Sequence, residues 1–198
     1  ELPLVKVMAA MEKEGFKVDK EELISFGEML SSEIDDLTAK IYEATGETFN
    51  INSPVQLGEV LFEKLELPAG KKTKRGYSTS AEVLEKIKDK HPIVADVLEY
   101  RTLAKLKSTY IDGLLPLIAS DGKVHAHFQQ TVTTTGRLSC TEPNLQNIPI
   151  RQELGRKLRK AFVPESDGCM LTGADYSQIE LRVLAHMAGD DVLIEAFN

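Results

Sequence analysis

The chain has 198 residues, of which 42% are hydrophobic, and its formal net charge is −7. It contains no apolar run near the roughly twenty residues of a membrane span and no charged-then-apolar start typical of export, so we expect neither a membrane protein nor a secreted one. The acidic total argues against a nucleic-acid partner, but the charge is uneven. Residues 1–70 hold 6 basic and 15 acidic side chains, whereas residues 71–198 hold 18 and 16, with basic clusters at 71–75 and 151–160. Local basic patches can hold a duplex despite the overall sign, so composition leaves this class open.

A long amphipathic helix is predicted from Lys20 to about Ala44, because its apolar residues alternate at spacings of three and four. Members of that stripe are Leu23, Phe26, Leu30, Ile34, Leu37 and Ile41. Ser53 followed by Pro54 is typical of an N-cap and a first helical residue, which indicates a helix to about Leu65. Residues 67–78 hold proline, glycine and four basic side chains, so they predict a loop.

Two further helices are predicted before residue 120. Thr79, with Glu82 three residues later, has the pattern of a capping box and indicates a short helix. Pro92 opens a second long amphipathic helix, which we expect to bend or fray at Gly113 and Pro116. The two long stripes are suited to antiparallel packing, with the shorter helices and the basic loop forming a tip. These elements predict a helical arm.

After residue 120 the pattern changes to an α+β segment. Val124, Ala126 and Phe128 alternate with polar neighbours, which predicts a half-buried strand. The later elements expected, in chain order, are a β-prone run at Thr131–Thr135, an ordered loop at Ser139–Pro149, a basic helix at Glu153–Phe162, a strand at Met170–Ala174 and a helix from Ser177 to about Ala188. We therefore predict a domain boundary near residue 120.

Two acidic residues near the last of these helices are candidates for chemistry. Asp175 follows the predicted strand, where a carboxylate can hold a hard divalent cation for phosphoryl transfer; alternatively, it assists helix capping. Glu180 points among apolar residues of the helical wheel, and a carboxylate in such company needs a partner. It either folds back to Ser177 as a capping box or fills a pocket that restricts the substrate.

Several polar residues are candidates for nucleic-acid contacts. Arg137 offers a fork of donors suited to bases or phosphates, and Asn144, Gln146 and Asn147 offer amides that can read minor-groove acceptors. The alternatives are a solvated arginine and amides that stabilise their own turns. The basic loop at 71–75, with Tyr77 after it, either grips phosphates or is a solvated charge run.

Three sets of motifs resemble DNA polymerase family A, in the order in which that family carries them. The segment Asp175–Arg182, continued by Val183-Leu184-Ala185-His186, is similar to the family's first palm motif. Residues Thr135–Ser139 and Pro143–Pro149 resemble its pre-palm signature. Asn50–Pro54, and Lys71–Lys74 with Gly76–Ser80, resemble its thumb. The resemblance covers essentially the whole chain, and Leu4–Asp19 resembles the junction that follows a proofreading domain.

The resemblance implies a role for each matching residue. Asp175 would bind two catalytic Mg²⁺ ions with help from the Tyr176 carbonyl, and Glu180 would be the steric gate that excludes a 2′-hydroxyl. Arg137 would reach the minor-groove side of the primer-terminal pair and the incoming nucleotide. The implied nucleotide-binding residues are Tyr176, Ser177, Gln178, Ile179, Glu180 and Arg151. The implied DNA-binding residues are Lys71, Lys72, Lys74, Arg75, Tyr77, Thr135, Arg137, Asn144, Gln146 and Asn147.

The implied protein is a DNA-directed DNA polymerase of the bacterial cytoplasm, with a helical thumb at 1–120 and an N-terminal palm segment with a small antiparallel sheet at 121–198. Its partners would be primer–template DNA, deoxynucleoside triphosphates and the rest of the same polymerase, with no membrane. Cys140 stands where relatives commonly have serine, and neither it nor Cys169 has metal-binding spacing, so we expect buried or idle thiols in a reducing compartment. The chain stops at Asn198 without the fingers helix or the second metal carboxylate, so we expect residues 1–198 alone to be inactive.

Two other functions are compatible with parts of the sequence. A DNA-binding accessory protein would keep this half of a polymerase without catalysis. A metal-dependent nuclease would use Asp175 together with further carboxylates, but the acidic residues after position 160 have no nuclease arrangement that we can identify.

Overall fold

The structure is a computed structural model that describes residues 1–69, 76–149 and 153–197. The chain divides into two compact units, Glu1–Val163 and Pro164–Asn198. The fold is mostly helical with two small antiparallel sheets, which confirms the predicted α+β class. Within the described ranges, none of the helices combines the length and hydropathy needed to cross a bilayer.

The first unit contains six α-helices, four short strands and several shorter helical turns among its described residues. In chain order, the helices and strands are α1 (Leu2–Glu14), β1 (Phe16–Lys17), α2 (Lys20–Thr45), α3 (Pro54–Glu59), α4 (Ala81–Glu85), α5 (Pro92–Leu106), β2 (Lys123–Val124), β3 (His127–Gln129), β4 (Ser139–Thr141) and α6 (Glu153–Lys160). The π-helical turns are Val60–Lys64 and Lys107–Asp112, and the 3₁₀ turns are Lys88–Lys90, Leu115–Leu117 and Leu145–Asn147.

The long helices α2 and α5 form the framework of this unit, as predicted. Asp19 caps α2 by accepting a hydrogen bond from the Glu22 N–H, and Gly46 ends the helix in the left-handed conformation, which glycine adopts without strain. The helix α5 begins at Pro92 and continues after Leu106 as the π-helical turn Lys107–Asp112. The disruption that was predicted at Gly113 therefore begins about one and a half turns earlier, at Lys107, where the hydrogen bonds change from the α-helical to the π-helical pattern.

Two apolar clusters show that α2 and α5 run antiparallel. The start of α2 packs with the end of α5 and the turn that follows it, whereas the end of α2 packs with the start of α5. The buried residues of the first cluster are Val18, Leu23, Phe26, Leu30, Leu37, Leu103, Leu106, Tyr110, Ile111, Leu114, Val124, Leu158 and Ala161. Those of the second cluster are Ile41, Ile51, Leu57, Leu61, Phe62, Leu67, Leu84, Ile87, Ile93, Val94 and Val97.

The short helices of the second cluster confirm one predicted cap and correct another. The Ser53 side chain accepts a hydrogen bond from the Gln56 N–H at the start of α3. The predicted capping box at Thr79 is wrong, because α4 begins after Ser80 and has no side-chain cap. Thr79 is instead buried, and its carbonyl and hydroxyl both accept from the Arg101 guanidinium. A partner from α5 has taken the place of the local one.

The β structure consists of two separate antiparallel pairs. β1 pairs with β2, and β3 pairs with β4 with Phe128 opposite Cys140. The single strand predicted through Val124, Ala126 and Phe128 is divided between β2 and β3. Its predicted alternation holds, since Val124 and Ala126 are buried while His127 is exposed. Two expectations are wrong: Thr131–Thr135 is an irregular loop, and the predicted loop from Ser139 begins as the strand β4. Phe128 and Gln129 pair with Cys140 and Ser139, so the threonine run lies in the connection between β3 and β4.

The second unit is organised around two helices, α7 (Ile179–Ala188) and α8 (Asp191–Ala196). The predicted strand at Met170–Ala174 is wrong: the segment has no regular secondary structure, because a strand needs a ladder partner. Ser177 is not the helix cap either. Gln178 occupies that position with a left-handed backbone (φ 51°) and no side-chain cap.

Candidate functional site

The segment from Pro143 to Pro149, here called the amide loop, is fixed to the first cluster. Asn144 caps its 3₁₀ turn by accepting from the Gln146 N–H at 3.1 Å. Leu145 and Ile148 pack against the first cluster. The Gln146 side-chain amide donates to the Leu138 carbonyl at 3.3 Å, and the Asn147 carbonyl accepts from the Tyr110 hydroxyl.

The polar residues of the amide loop remain exposed to solvent. Asn144, Gln146 and Asn147 are all exposed. Asn144 performs the turn-stabilising role that the sequence left open, since its side-chain oxygen accepts the capping bond. Asn147 thus combines an exposed side-chain amide with a backbone that the protein holds in place. A donor to minor-groove acceptors requires such a fixed backbone.

Arg137 lies on an exposed turn next to the amide loop in sequence. Gly136 supplies the left-handed residue of that turn (φ 76°), and the Thr133 hydroxyl donates to the Arg137 carbonyl at 2.5 Å. Thr135 is exposed on the same turn. Arg137 is therefore held by its backbone while its guanidinium lies at the surface.

A set of hydrogen bonds joins α1 to the strands that precede this turn. The Glu12 carboxylate accepts from the Phe128 N–H at 2.6 Å, and the Glu12 carbonyl lies 2.7 Å from His125 Nδ1. His125 Nε2 lies 3.0 Å from the Asp121 carboxylate. The Glu12 carbonyl and then Asp121 raise the pKa of His125, because both accept hydrogen bonds from the imidazolium and so favour its protonated form. The Lys123 N–H, followed by His125, lowers the pKa of Asp121.

The second unit presents the acidic candidates at the start of α7. Asp175 and Tyr176 are exposed, and two residues later the left-handed backbone of Gln178 turns the chain into the helix. Arg182 holds this entry: its Nε donates to the Ser177 carbonyl at 2.9 Å, and its guanidinium also donates to the Phe197 carbonyl at 2.6 Å and covers the Phe197 ring. Arg182 thus connects the start of α7 to the residue that follows α8.

Glu180 has different surroundings from those that the sequence suggested. Its expected apolar neighbours Val183, Leu184 and Met187 are 48%, 54% and 79% exposed, so the described residues of this unit form no pocket around it. The helix cap is Gln178 and not Ser177, so Glu180 does not stand at the third helical position that a capping box requires. Glu180 is an exposed carboxylate in the first turn of α7.

The predicted site residues fall into three groups. Arg137, Thr135 and the amide-loop residues share the first unit, whereas Asp175 to Glu180 share the second. Tyr77 is half-buried, with its ring 5.1 Å from that of Phe62, so it contributes to the second cluster. The remaining predicted residues lie outside the described ranges, namely Lys71, Lys72, Lys74, Arg75 and Arg151.

Three supporting residues escaped prediction from the sequence. Tyr110 and Arg182 hold the backbone of segments whose exposed side chains were identified as candidates, and Glu12 holds the strand β3 that precedes the turn carrying Arg137. The bond from Tyr110 joins residues 37 apart and that from Glu12 residues 116 apart, so no local pattern marks either one. Arg182 did lie within a recognised motif, which was the available signal.

The oxygen donors at the start of α7 fit magnesium in type but not in number. Mg²⁺ prefers hard oxygen ligands and commonly takes one or two carboxylates, with water and phosphate completing the shell. The exposed Asp175 carboxylate, followed by the Tyr176 carbonyl, offers such donors. Among the described residues, no three His, Cys, Asp or Glu side chains are grouped to hold a metal ion.

Comparison with known proteins relates residues 20–198 to DNA polymerase family A, whose profile they match. The whole chain is 58% identical over 199 residues to DNA polymerase I of Bacillus subtilis and 56% identical over 198 residues to that of Lactococcus lactis. It spans 23% and 22% of the lengths of these two relatives. It also superposes on the POL domain of Pol1 from M. smegmatis, solved with DNA primer–template and dNTP, at a TM-score of 0.88 and 46% identity, covering 100% of this chain and 35% of that one.

Proposed function

Because the chain belongs to DNA polymerase family A and represents part of a polymerase domain, we propose that it forms the thumb and first palm segment of a template-directed DNA polymerase. The thumb comprises residues 1–120 and the palm segment residues 121–198. The complete enzyme adds deoxynucleotides to a primer 3′-end on a DNA template and releases pyrophosphate. It works in the bacterial cytoplasm, where its partners are primer–template DNA and deoxynucleoside triphosphates.

The observation that carries this proposal is the presentation of Asp175. Its carboxylate is exposed directly before the turn that starts α7, and Arg182 fixes that turn from within the same unit. We propose that Asp175 and the Tyr176 carbonyl hold Mg²⁺, which, when bound, neutralises charge on the phosphates during in-line displacement. The second carboxylate comes from the remainder of the polymerase.

The other residues bind and orient the substrates. Glu180, in the first turn of α7, crowds the sugar and excludes a 2′-hydroxyl. Arg137 donates to the minor-groove side of the primer-terminal pair, and Gln146 and Asn147 contact the duplex beside it. Residues Ser177 to Ile179 and Arg151 line the nucleotide site. The segment 71–77 follows the phosphate backbone, where lysine and arginine contribute affinity without reading sequence.

Replacement of the carboxylate tests the metal role. In the longer polymerase that contains this chain, Asp175→Asn is expected to lower primer extension by about 1000-fold, since loss of a metal ligand removes several kcal/mol of transition-state stabilisation. Primer–template affinity should change less than about threefold, because the neutral amide removes no contact to DNA. Asp167→Asn is the matched control, as Asp167 is also exposed in the second unit. Equal extension by the Asp175 variant and the control would disprove the role.

The gate role of Glu180 has a separate test. Glu180→Ala should raise incorporation of ribonucleotides relative to deoxynucleotides, because the side chain that crowds the 2′ position is gone. Unchanged selectivity would restrict Glu180 to a role in the helix.

We also propose that residues 1–198 alone do not polymerise, because one carboxylate cannot organise two metal ions. Primer extension assayed with this purified fragment, beside the longer polymerase as positive control, tests the point. Extension by the fragment would contradict it.

A further inference from the structure

The ring of Tyr110 is embedded in the first cluster and reaches the amide loop with its hydroxyl. Tyr110 belongs to the π-helical turn Lys107–Asp112 and is 7% exposed. Its hydroxyl donates to the Asn147 carbonyl. Burial raises the pKa of the Tyr110 phenol, so the group keeps its proton and remains a donor throughout the neutral range. π-helical turns within longer helices are frequent at functional sites.

This hydrogen bond acts on the part of the loop where contact with DNA is expected. Leu145 and Ile148 fix the loop by packing, and Gln146 is tied to the Leu138 carbonyl through its side chain. The Tyr110 hydroxyl holds the peptide group that follows Asn147, and the orientation of that group sets the direction of the exposed Asn147 side chain. A hydrogen bond to the backbone carbonyl orients the Asn147 side chain without occupying its amide group.

We propose that Tyr110 is a positioning residue for primer–template binding, acting through the Asn147 backbone. This inference rests on the proposed function, because it assumes that the amide loop faces the minor groove near the primer terminus. Loss of the hydroxyl frees the Asn147 carbonyl and lets the peptide rotate. The Asn147 amide then meets its acceptor in only part of the population, and affinity for the duplex falls.

The test compares two tyrosines with the same kind of bond. Tyr42 also donates its hydroxyl to a backbone carbonyl, that of Phe49 at 2.7 Å, but it packs against the second cluster. Tyr110→Phe and Tyr42→Phe each remove one hydroxyl and keep the ring, so their effects on folding are matched. In the full-length polymerase, Tyr110→Phe should weaken primer–template binding about fivefold, the equivalent of one hydrogen bond. Tyr42→Phe should leave it unchanged.

A modified duplex distinguishes positioning from general loosening of the fold. Replacement of adenine by 3-deazaadenine in the base pair next to the primer-terminal pair, where the Asn147 contact is expected, removes the N3 minor-groove acceptor. It should weaken binding by the wild-type polymerase several-fold and binding by the Tyr110 variant much less, because the contact is already lost there. The Tyr42 variant should respond like the wild type.

The outcomes separate this inference from the function on which it rests. Equal affinity of the two tyrosine variants, or an equal 3-deazaadenine effect in wild type and Tyr110→Phe, would overturn the positioning role. Failure of the wild-type polymerase to bind primer–template would instead overturn the proposed function.

Discussion

Replacement of Gly155 by alanine is expected to destabilise the first unit, because the added methyl group would clash with the backbone of Pro149. Gly155 is buried in α6, and a Cβ placed there would lie 2.3 Å from the Pro149 carbonyl oxygen and 2.8 Å from the Pro149 carbonyl carbon. Ordinary carbon–oxygen contact begins about 1 Å farther away. The neighbour is backbone, so it cannot swing aside like the end of a flexible side chain.

The expected magnitude is the difference between two opposing effects. Overpacking of a well-packed core costs about 1–3 kcal/mol, and a 2.3 Å contact with backbone falls in the upper part of that range, about 2–3 kcal/mol. Alanine in place of glycine within a helix returns about 1 kcal/mol at most. The net loss is then about 1–2 kcal/mol, which lowers the melting temperature of a unit of this size by about 2–8 °C.

Thermal unfolding of the polymerase domain, followed by circular dichroism, measures this loss. Gly173→Ala is the control, because a Cβ there meets nothing within 4 Å and the change in the unfolded chain is the same. Since Pro149 ends the amide loop, the Gly155 variant should also bind primer–template more weakly. A Gly155→Ala protein as stable as the wild type would refute the steric reasoning.

Two further predictions concern buried and titrating groups. Arg101→Met should lower the free energy of unfolding by about 2 kcal/mol, because it leaves the carbonyl and hydroxyl of buried Thr79 unpaired; denaturant titration measures it, and a loss below about 0.5 kcal/mol would contradict it. His125 has a raised pKa, so its contribution to stability is complete below about pH 6.5 and is lost as the pH rises through the raised value. The stability gap between wild type and His125→Gln should therefore narrow from pH 6 to pH 9 in thermal melts, and a constant gap would refute the protonated contact with Asp121 and the Glu12 carbonyl.

The long helices were predictable because their signals are local. The helix predicted from Lys20 to about Ala44 ends at Thr45, since its capping residue, its apolar stripe and Gly46 all lie within one stretch of sequence. Pro92 marked the start of α5 for the same reason. Apolar periodicity also identified which residues enter the clusters.

Local signals failed where a distant group decided the structure. Thr79 had the pattern of a cap, but Arg101, 22 residues away, donates hydrogen bonds to its carbonyl and hydroxyl oxygens. The segment Met170–Ala174 had the composition of a strand, yet the described residues of its unit offer no partner strand. Ser177 resembled a cap, but the left-handed backbone of Gln178 moves the helix start past it.

The candidate site was predictable as residue types and not as an arrangement. The motifs identified Asp175, Arg137 and Asn147 as candidates, because their chemistry can be named without coordinates. The hydroxyl of Tyr110 gave no such signal, since its partner is 37 residues away. The sequence therefore named candidate side chains, and the structure was needed to show their exposure and the contacts that hold their backbone.

The antiparallel pair α2–α5 also sets a length. Ile111, beside Tyr110, meets α2 at Gly27, whereas the second cluster reaches α2 at Ile41, a span of about 21 Å at 1.5 Å per residue. The amide loop packs against the first cluster, at one end of this span, and Tyr77 packs against the second cluster, at the other end. Insertion of one helical turn into both helices would increase the distance between the two clusters by about 5.4 Å while leaving each surface as it is.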